Sequence, residues 1–282
     1  MKKKYSNIII ATIFIIGLSL LLYPTIANKW NTYRQSQLIS NYDDKVSQME
    51  KDGTIDYEAE WKKAQDYNNA LVPMILPDSF AVADAKEERD SSYESCLNVT
   101  GDGIMGTVEI PKIDVKLPIY HYTTEEVLKN AAGHLEGSSL PIGGESTHSV
   151  ISAHRGLPSA ILFTDLDKLK KGDHFMIHVL DDVLCYEVDK ISVVKPDDTS
   201  NLNVVEGEDL MTLLTCTPYG VNTERLLVRG HRVPYEETYK EEKESSISLE
   251  TNYVLWVIIG LVITAALIGG MYIRERRKNH EA

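Results

Sequence analysis

The chain has 282 residues, of which 43% are hydrophobic and 25% charged, and its net charge is −13. That content supports a buried core and excludes an intrinsically disordered chain. The acidic balance argues against nucleic acid or anionic lipid as partners of the part between the two basic ends.

Lys2, Lys3 and Lys4 precede a charge-free run, Ile8 to Ala27. A second such run, Tyr253 to Ile273, is followed by Arg274, Arg276, Arg277 and Lys278. Each is long enough to cross a bilayer as a helix. Because the basic clusters lie outside both runs, the positive-inside rule places both ends in the cytoplasm and the rest outside. A cleaved signal peptide is the other reading of the first run. The expected organisation is a basic cytoplasmic end (1–7), an N-terminal transmembrane or signal-anchor segment (8–27), N-terminal helices (28–73), a loop (74–93), a β-rich domain (94–233), a polar linker (234–252), a C-terminal transmembrane helix (253–273) and a basic tail (274–282).

Residues 28–50 and 54–70 read as two polar, amphipathic helices, separated at Lys51-Asp52-Gly53 and closed by Pro73 and Pro77. Residues 71–93 carry no clear period and read as a long loop. "GIMGTVEIPKI" and "VKLPIY" then read as short strands, with Pro111 and Pro118 suggesting edges or bulges. "TTEEVLKNAAGHL" reads as a helix with a capping box at Thr123 and Glu126. "HSVISA" reads as a buried strand and "SAILFTDLDKLKKG" as a helix closed by Gly172. "HFMIHVL" and "LCYEVDKISVV" alternate around Asp181-Asp182 as a hairpin, and "LMTLLTC" and "ERLLVRGHRV" are the last two strands. Many short strands with few helices between them predict a β-barrel or sandwich.

Three cysteines, Cys96, Cys185 and Cys216, leave at least one free thiol, and no spacing suits a structural zinc site. Cys216 closes an apolar strand and faces a turn-rich loop, whereas Cys96 and Cys185 read as buried. A nucleophilic cysteine needs a base or a cation beside it. Among the histidines, His154 stands out because it follows the apolar strand "SVISA"; His121, His134, His148, His174 and His178 have no such setting. Arg225, Leu227 and Arg229 share one face of the last strand, and a hairpin return would carry Arg225 back to Cys216, where a guanidinium can donate to an oxyanion.

"TLLTC" followed by "TPYGVNTERLLVRG" closely resembles the signature of sortases, and its Pro-Tyr-Gly-Val-Asn continuation resembles class C, the pilus-assembly sortases. "AHRG" (Ala153 to Gly156) and "GIMGTVEIPKI" resemble the family's histidine segment and first barrel strand. The resemblance implies a mainly β fold: a sortase-like β-barrel of about eight strands with short helices, N-terminal helices and terminal transmembrane helices. It implies Cys216 as nucleophile, His154 as general acid/base, Arg225 as the oxyanion or substrate-positioning group, and a structural Arg229. Class C enzymes carry a lid with an Asp-Pro-aromatic tripeptide; the matching stretch is Asp78-Ser79-Phe80, with serine in place of proline, a change that relaxes φ and adds loop entropy. The implied reaction cleaves an LPXTG-like sorting signal between Thr and Gly through a thioacyl intermediate and joins it to a lysine amine of a pilin subunit, without metal or cofactor. A housekeeping sortase acting on the cell wall and a membrane-tethered peptide-binding scaffold are the alternatives.

Overall fold

The computed structural model describes residues 2–71, 76–80 and 90–236. The chain divides into two compact units, Met1–Glu242 and Lys243–Ala282, and all of the described residues belong to the first. The expected C-terminal transmembrane helix at 253–273 lies outside the described residues.

Helix α1 runs unbroken from Lys2 to Lys51. The apolar run and the first polar helix are therefore one element of 50 residues, about 75 Å long at 1.5 Å per residue. Pro24 lies inside it and costs one backbone hydrogen bond without ending it. The apolar stretch that begins at Thr12 is long enough to cross a membrane, and among the described residues nothing buries its apolar window. Farther along, Gln35, Ile39, Tyr42 and Val46 are buried, so this half packs onto the domain that follows. Side-chain amides hold it there: Asn28 Oδ1 accepts from the Ile161 amide (3.0 Å), and Asn31 and Gln35 donate to the Ser159 and Asn130 carbonyls (2.6 and 2.8 Å). Helix α2 (Tyr57–Ala70), capped by Asp56, is tied down by Asn68, which bonds both the amide and the carbonyl of Leu140. A short α3 (Ser91–Ser95) follows, capped by Asp90.

Eight strands close a barrel: β1 (Ile104–Ile110), β2 (Val115–His121), β3 (Ala132–His134), β4 (Thr147–Ser152), β5 (His174–Val179), β6 (Asp182–Val194), β7 (Asp209–Thr217) and β8 (Glu224–Val233). Their order round the barrel is β1-β2-β3-β4-β7-β8-β6-β5. β2–β3 and β4–β7 pair in parallel and the remaining neighbours antiparallel. Closure leaves no free edge. Pro118 is accommodated because β2 pairs with β3 only from Ile119 onward. Gly106 sits at a bulge where β5 crosses so closely that a Cβ would lie 2.3 Å from the His178 carbonyl oxygen.

Two segments differ from their predicted form. "TTEEVLKNAAGHL" is helical only over α4 (Glu125–Leu128), capped by Thr124 rather than Thr123, and its end is strand β3. Pairing with β2 and β4 outweighs the helical pattern there. "SAILFTDLDKLKKG" forms only a 3-10 turn at Leu166–Lys168. Its backbone groups are taken by tertiary partners: Asn28 and Asn31 of α1, and the His154 carbonyl, which accepts from the Phe163 amide. Ala160, Leu162, Phe163, Leu166 and Leu169 are buried in spite of this irregular backbone.

Because side chains alternate across a strand, the β4-β7-β8 sheet has two apolar faces. Ile151, Met211, Leu213, Leu226 and Val228 join the main core with Phe175, Ile177 and Tyr186. Val150, Leu214 and Leu227 point the other way and form a second cluster with Leu76, Leu135 and Leu202.

Candidate active site

The site is built on that second face. Cys216 follows Leu214 at period two on β7, and Arg225 precedes Leu227 at period two on β8. The hairpin register sets Cys216 directly opposite Arg225. The third candidate arrives through the parallel β4–β7 pair, in which Ser152 lies beside Leu214. Past the end of β4, the Ala153 amide donates to the Leu214 carbonyl (3.2 Å), and the Thr215 hydroxyl donates to the Ala153 carbonyl (2.8 Å). His154 is the next residue, so it leaves the sheet at the level of Cys216.

Leu76–Phe80 lies over this face. Asp78 receives two parallel hydrogen bonds from Arg225, 2.7 Å from Nε and 2.6 Å from Nη2, and the two side chains are only 11% and 10% exposed. Nη1 of Arg225 donates to the carbonyls of Asn222 and Glu224 (3.2 and 3.0 Å). The Phe80 ring centre is 5.2 Å from the His154 ring and 5.2 Å from the Arg225 guanidinium carbon, so one aromatic ring lies near both groups. Leu76 fills the apolar cluster. Ser79 is fully buried and accepts a hydrogen bond from the equally buried Ser152 hydroxyl (2.9 Å). The serine that stands in place of proline thus makes a side-chain bond to the sheet. The loop's other residues, 72–75 and 81–89, lie outside the described residues.

This cover sets the electrostatics. Burial pushes the Cys216 thiol up to about 11; the Asp78 carboxylate adds to the rise and the Arg225 charge opposes it. Asp78 holds the Arg225 guanidinium more firmly charged than usual. His154 Nε2 lies 3.4 Å from Glu125 Oε2 at the start of α4. A thiol, an imidazole and a guanidinium at one sheet end can supply a nucleophile, a proton carrier and an oxyanion donor for acyl transfer.

The other candidates lie elsewhere. His134 is fully buried on β3; it donates through Nε2 to the Ser139 carbonyl and accepts from the Tyr93 hydroxyl, and burial pushes it down to about 4. His148 lies within β4, between the Asn203 carbonyl and the Thr212 hydroxyl. His121 lies against the Gly103 and Cys96 carbonyls, and His178 against Glu109. His174 is 3.7 Å from Glu187. Arg229 pairs with Asp189, and Glu224 with Lys195. Cys96 and Cys185 are buried and not disulfide-bonded. Among the described residues no group of three or more His, Cys, Asp or Glu side chains gathers as a metal site would need.

Sequence reasoning missed four neighbours of the site. Ser152 precedes His154 at period two, a signal that could have found it. Leu76 and Glu125 carried no local signal. Arg155, buried, ion-paired with Asp167 and reaching the Thr217 hydroxyl (3.4 Å), ties the His154 loop to the end of β7.

Residues 108–233 match the Sortase domain family. The chain is 48% identical to the sortase C of Streptococcus pneumoniae, for which pilin substrate specificity is described; that match has a TM-score of 0.63 and covers 71% of this chain and 97% of that one. It is 49% identical to sortase C1 of Streptococcus agalactiae, with a TM-score of 0.63 and coverage of 71% and 100%. It is 32% identical over 131 residues to sortase D of Bacillus subtilis (strain 168), covering 45% of this chain and 63% of that relative's length.

Proposed function

This chain belongs to the sortase family, and from that premise we propose that it is a membrane-anchored cysteine transpeptidase of the pilus-assembly class. The observation that carries the reading is the register of Cys216 opposite Arg225, with His154 emerging from the adjoining strand at the same level. The similarity to sortases C supports the class.

The substrate is an LPXTG-like sorting signal. With Leu76–Phe80 lifted away, the Cys216 thiolate attacks the carbonyl carbon of the signal's threonine. Arg225, released from Asp78, donates hydrogen bonds to the oxygen that becomes negative. His154 gives a proton to the departing glycine amine as the C–N bond breaks, leaving a thioester on Cys216. A pilin lysine amine then attacks the thioester, its proton passes to His154, and an isopeptide bond forms as the thiolate departs. Asp78 and Phe80 act as a lid in the resting state: the carboxylate occupies the oxyanion donor and the ring covers the histidine. The apolar half of α1 serves as the anchor, with residues 253–273 as a second span and both chain ends in the cytoplasm.

Cys216→Ala is expected to abolish pilin polymer while leaving the melting temperature within a few degrees of the parent. Mass spectrometry of the parent with a sorting-signal peptide should find the acyl adduct on Cys216 alone. Polymer formation by the alanine variant would overturn the assignment.

A further inference from the structure

The described part of the lid reads Leu76-Pro77-Asp78-Ser79-Phe80. This is Leu-Pro-X-Ser, the pattern of a sorting signal with serine in place of threonine. The geometry follows the same order. Leu76 lies in the apolar cluster of Val150, Leu214 and Leu227, which does not include Cys216. Phe80, after the serine, lies between His154 and Arg225. A signal laid along this track, leucine in the apolar cluster, would bring the bond after its fourth residue to the Cys216 level.

The track has one polar contact at the fourth position: the Ser152 hydroxyl donates to the Ser79 hydroxyl at 2.9 Å, and both residues are fully buried. We propose that Ser152 is a specificity-determining residue that reads the hydroxyl of the sorting signal's fourth residue, and that Ser79 stands in for that residue when the lid is closed. This rests on the transpeptidase reading above. A buried hydroxyl left without its partner costs the full desolvation of that group, so Ser152 discriminates against a residue of the same shape that lacks oxygen. Valine is that residue, being nearly isosteric with threonine. The third position explains why the copy inhibits: Asp78 there engages Arg225, so a bound lid occupies the oxyanion donor that a signal would leave free.

The test measures kcat/KM of the full-length protein in detergent for three fluorogenic peptides, Leu-Pro-Ala-Thr-Gly, Leu-Pro-Ala-Ser-Gly and Leu-Pro-Ala-Val-Gly, in an Asp78→Ala background that weakens the lid. The threonine and serine peptides should exceed the valine peptide by about tenfold, as expected for one buried neutral hydrogen bond. Adding Ser152→Ala should lower the first two by that factor and leave the valine peptide within about twofold, so that the ratio collapses toward one. A Ser152 that merely latched the lid would, on truncation, raise all three rates together and keep the ratio. Equal rates on threonine and valine in the Asp78→Ala protein, a comparison needing no change at Ser152, would overturn the inference while leaving the transpeptidase reading intact. No turnover of any peptide would overturn both.

Discussion

At neutral pH a thiol pushed up to about 11 is almost wholly protonated, and Cys216 is in that state beneath Leu76–Phe80. The thiolate fraction there is on the order of one in ten thousand at pH 7. Burial and the Asp78 charge both oppose ionisation, so removing either lowers the pKa; Arg225, freed from its carboxylate partner, then favours the thiolate more strongly. The expected result is that Cys216 of the parent alkylates at a rate still climbing at pH 10, whereas in Asp78→Ala the rise moves to lower pH and the rate at pH 7 increases by about tenfold or more. Peptide mass spectrometry separates Cys216 from the buried Cys96 and Cys185. Superimposed profiles would show that Asp78 does not govern the thiol. Much of this site was legible. Cys216, His154 and Arg225 each carry a local signal, a strand end or a period-two position. Ser152 carried a period-two signal but its partner, 73 residues distant, was hidden, and Leu76 is marked only by its place in an apolar cluster.

At the scale of elements, strands were more legible than helices. β4, β7 and β8 read correctly because both of their faces are apolar or alternate cleanly. The predicted helix over 159–172 failed because its apolar residues sit on a helical period while α1 supplies hydrogen bonds a helix would have made. The β1–β5 seam offers a test of another kind. Glu109 on β1 is held at about 2, chiefly by the hydrogen bond from His178 on β5, with Lys116 on β2 assisting. A depressed carboxylate contributes stability that is present above its unfolded value, near 4.3, and is lost as pH falls toward 2. Glu109→Gln should therefore lower stability by about 1–2 kcal/mol at pH 6, after discounting for partial exposure, and by progressively less toward pH 2. Urea unfolding at the two pH values reads the difference; a gap that does not shrink on acidification would mean that the seam does not depend on this charge.

For the whole molecule, the uninterrupted α1 is the feature that pattern reading divided. A change from apolar to polar composition at Ala27 marks a change of surroundings, not a break in the backbone, and composition alone does not distinguish the two. Its docked half rests on three amide side chains, Asn28, Asn31 and Gln35, as well as on Ile39, Tyr42 and Val46. Replacing the three amides with alanine should cost roughly 2–3 kcal/mol at about 1 kcal/mol for each hydrogen bond. It should also expose the segment near Ser159 to limited proteolysis in detergent, and an unchanged digestion pattern would show that apolar packing alone holds the helix.

The same helix sets how far the reactive centre can roam. Asn28 bonds to the Ile161 amide immediately after the last residue of the apolar stretch, so no slack separates the lipid-suited half from the barrel. A domain on a flexible tether samples a volume that grows with tether length. A domain clamped to a stiff rod is confined to a thin layer at one height and turns as the rod turns. With α1 anchored in lipid as proposed above, encounters with partners held in the same sheet of lipid become a two-dimensional search, in which the tilt of one helix decides which way the thiol looks.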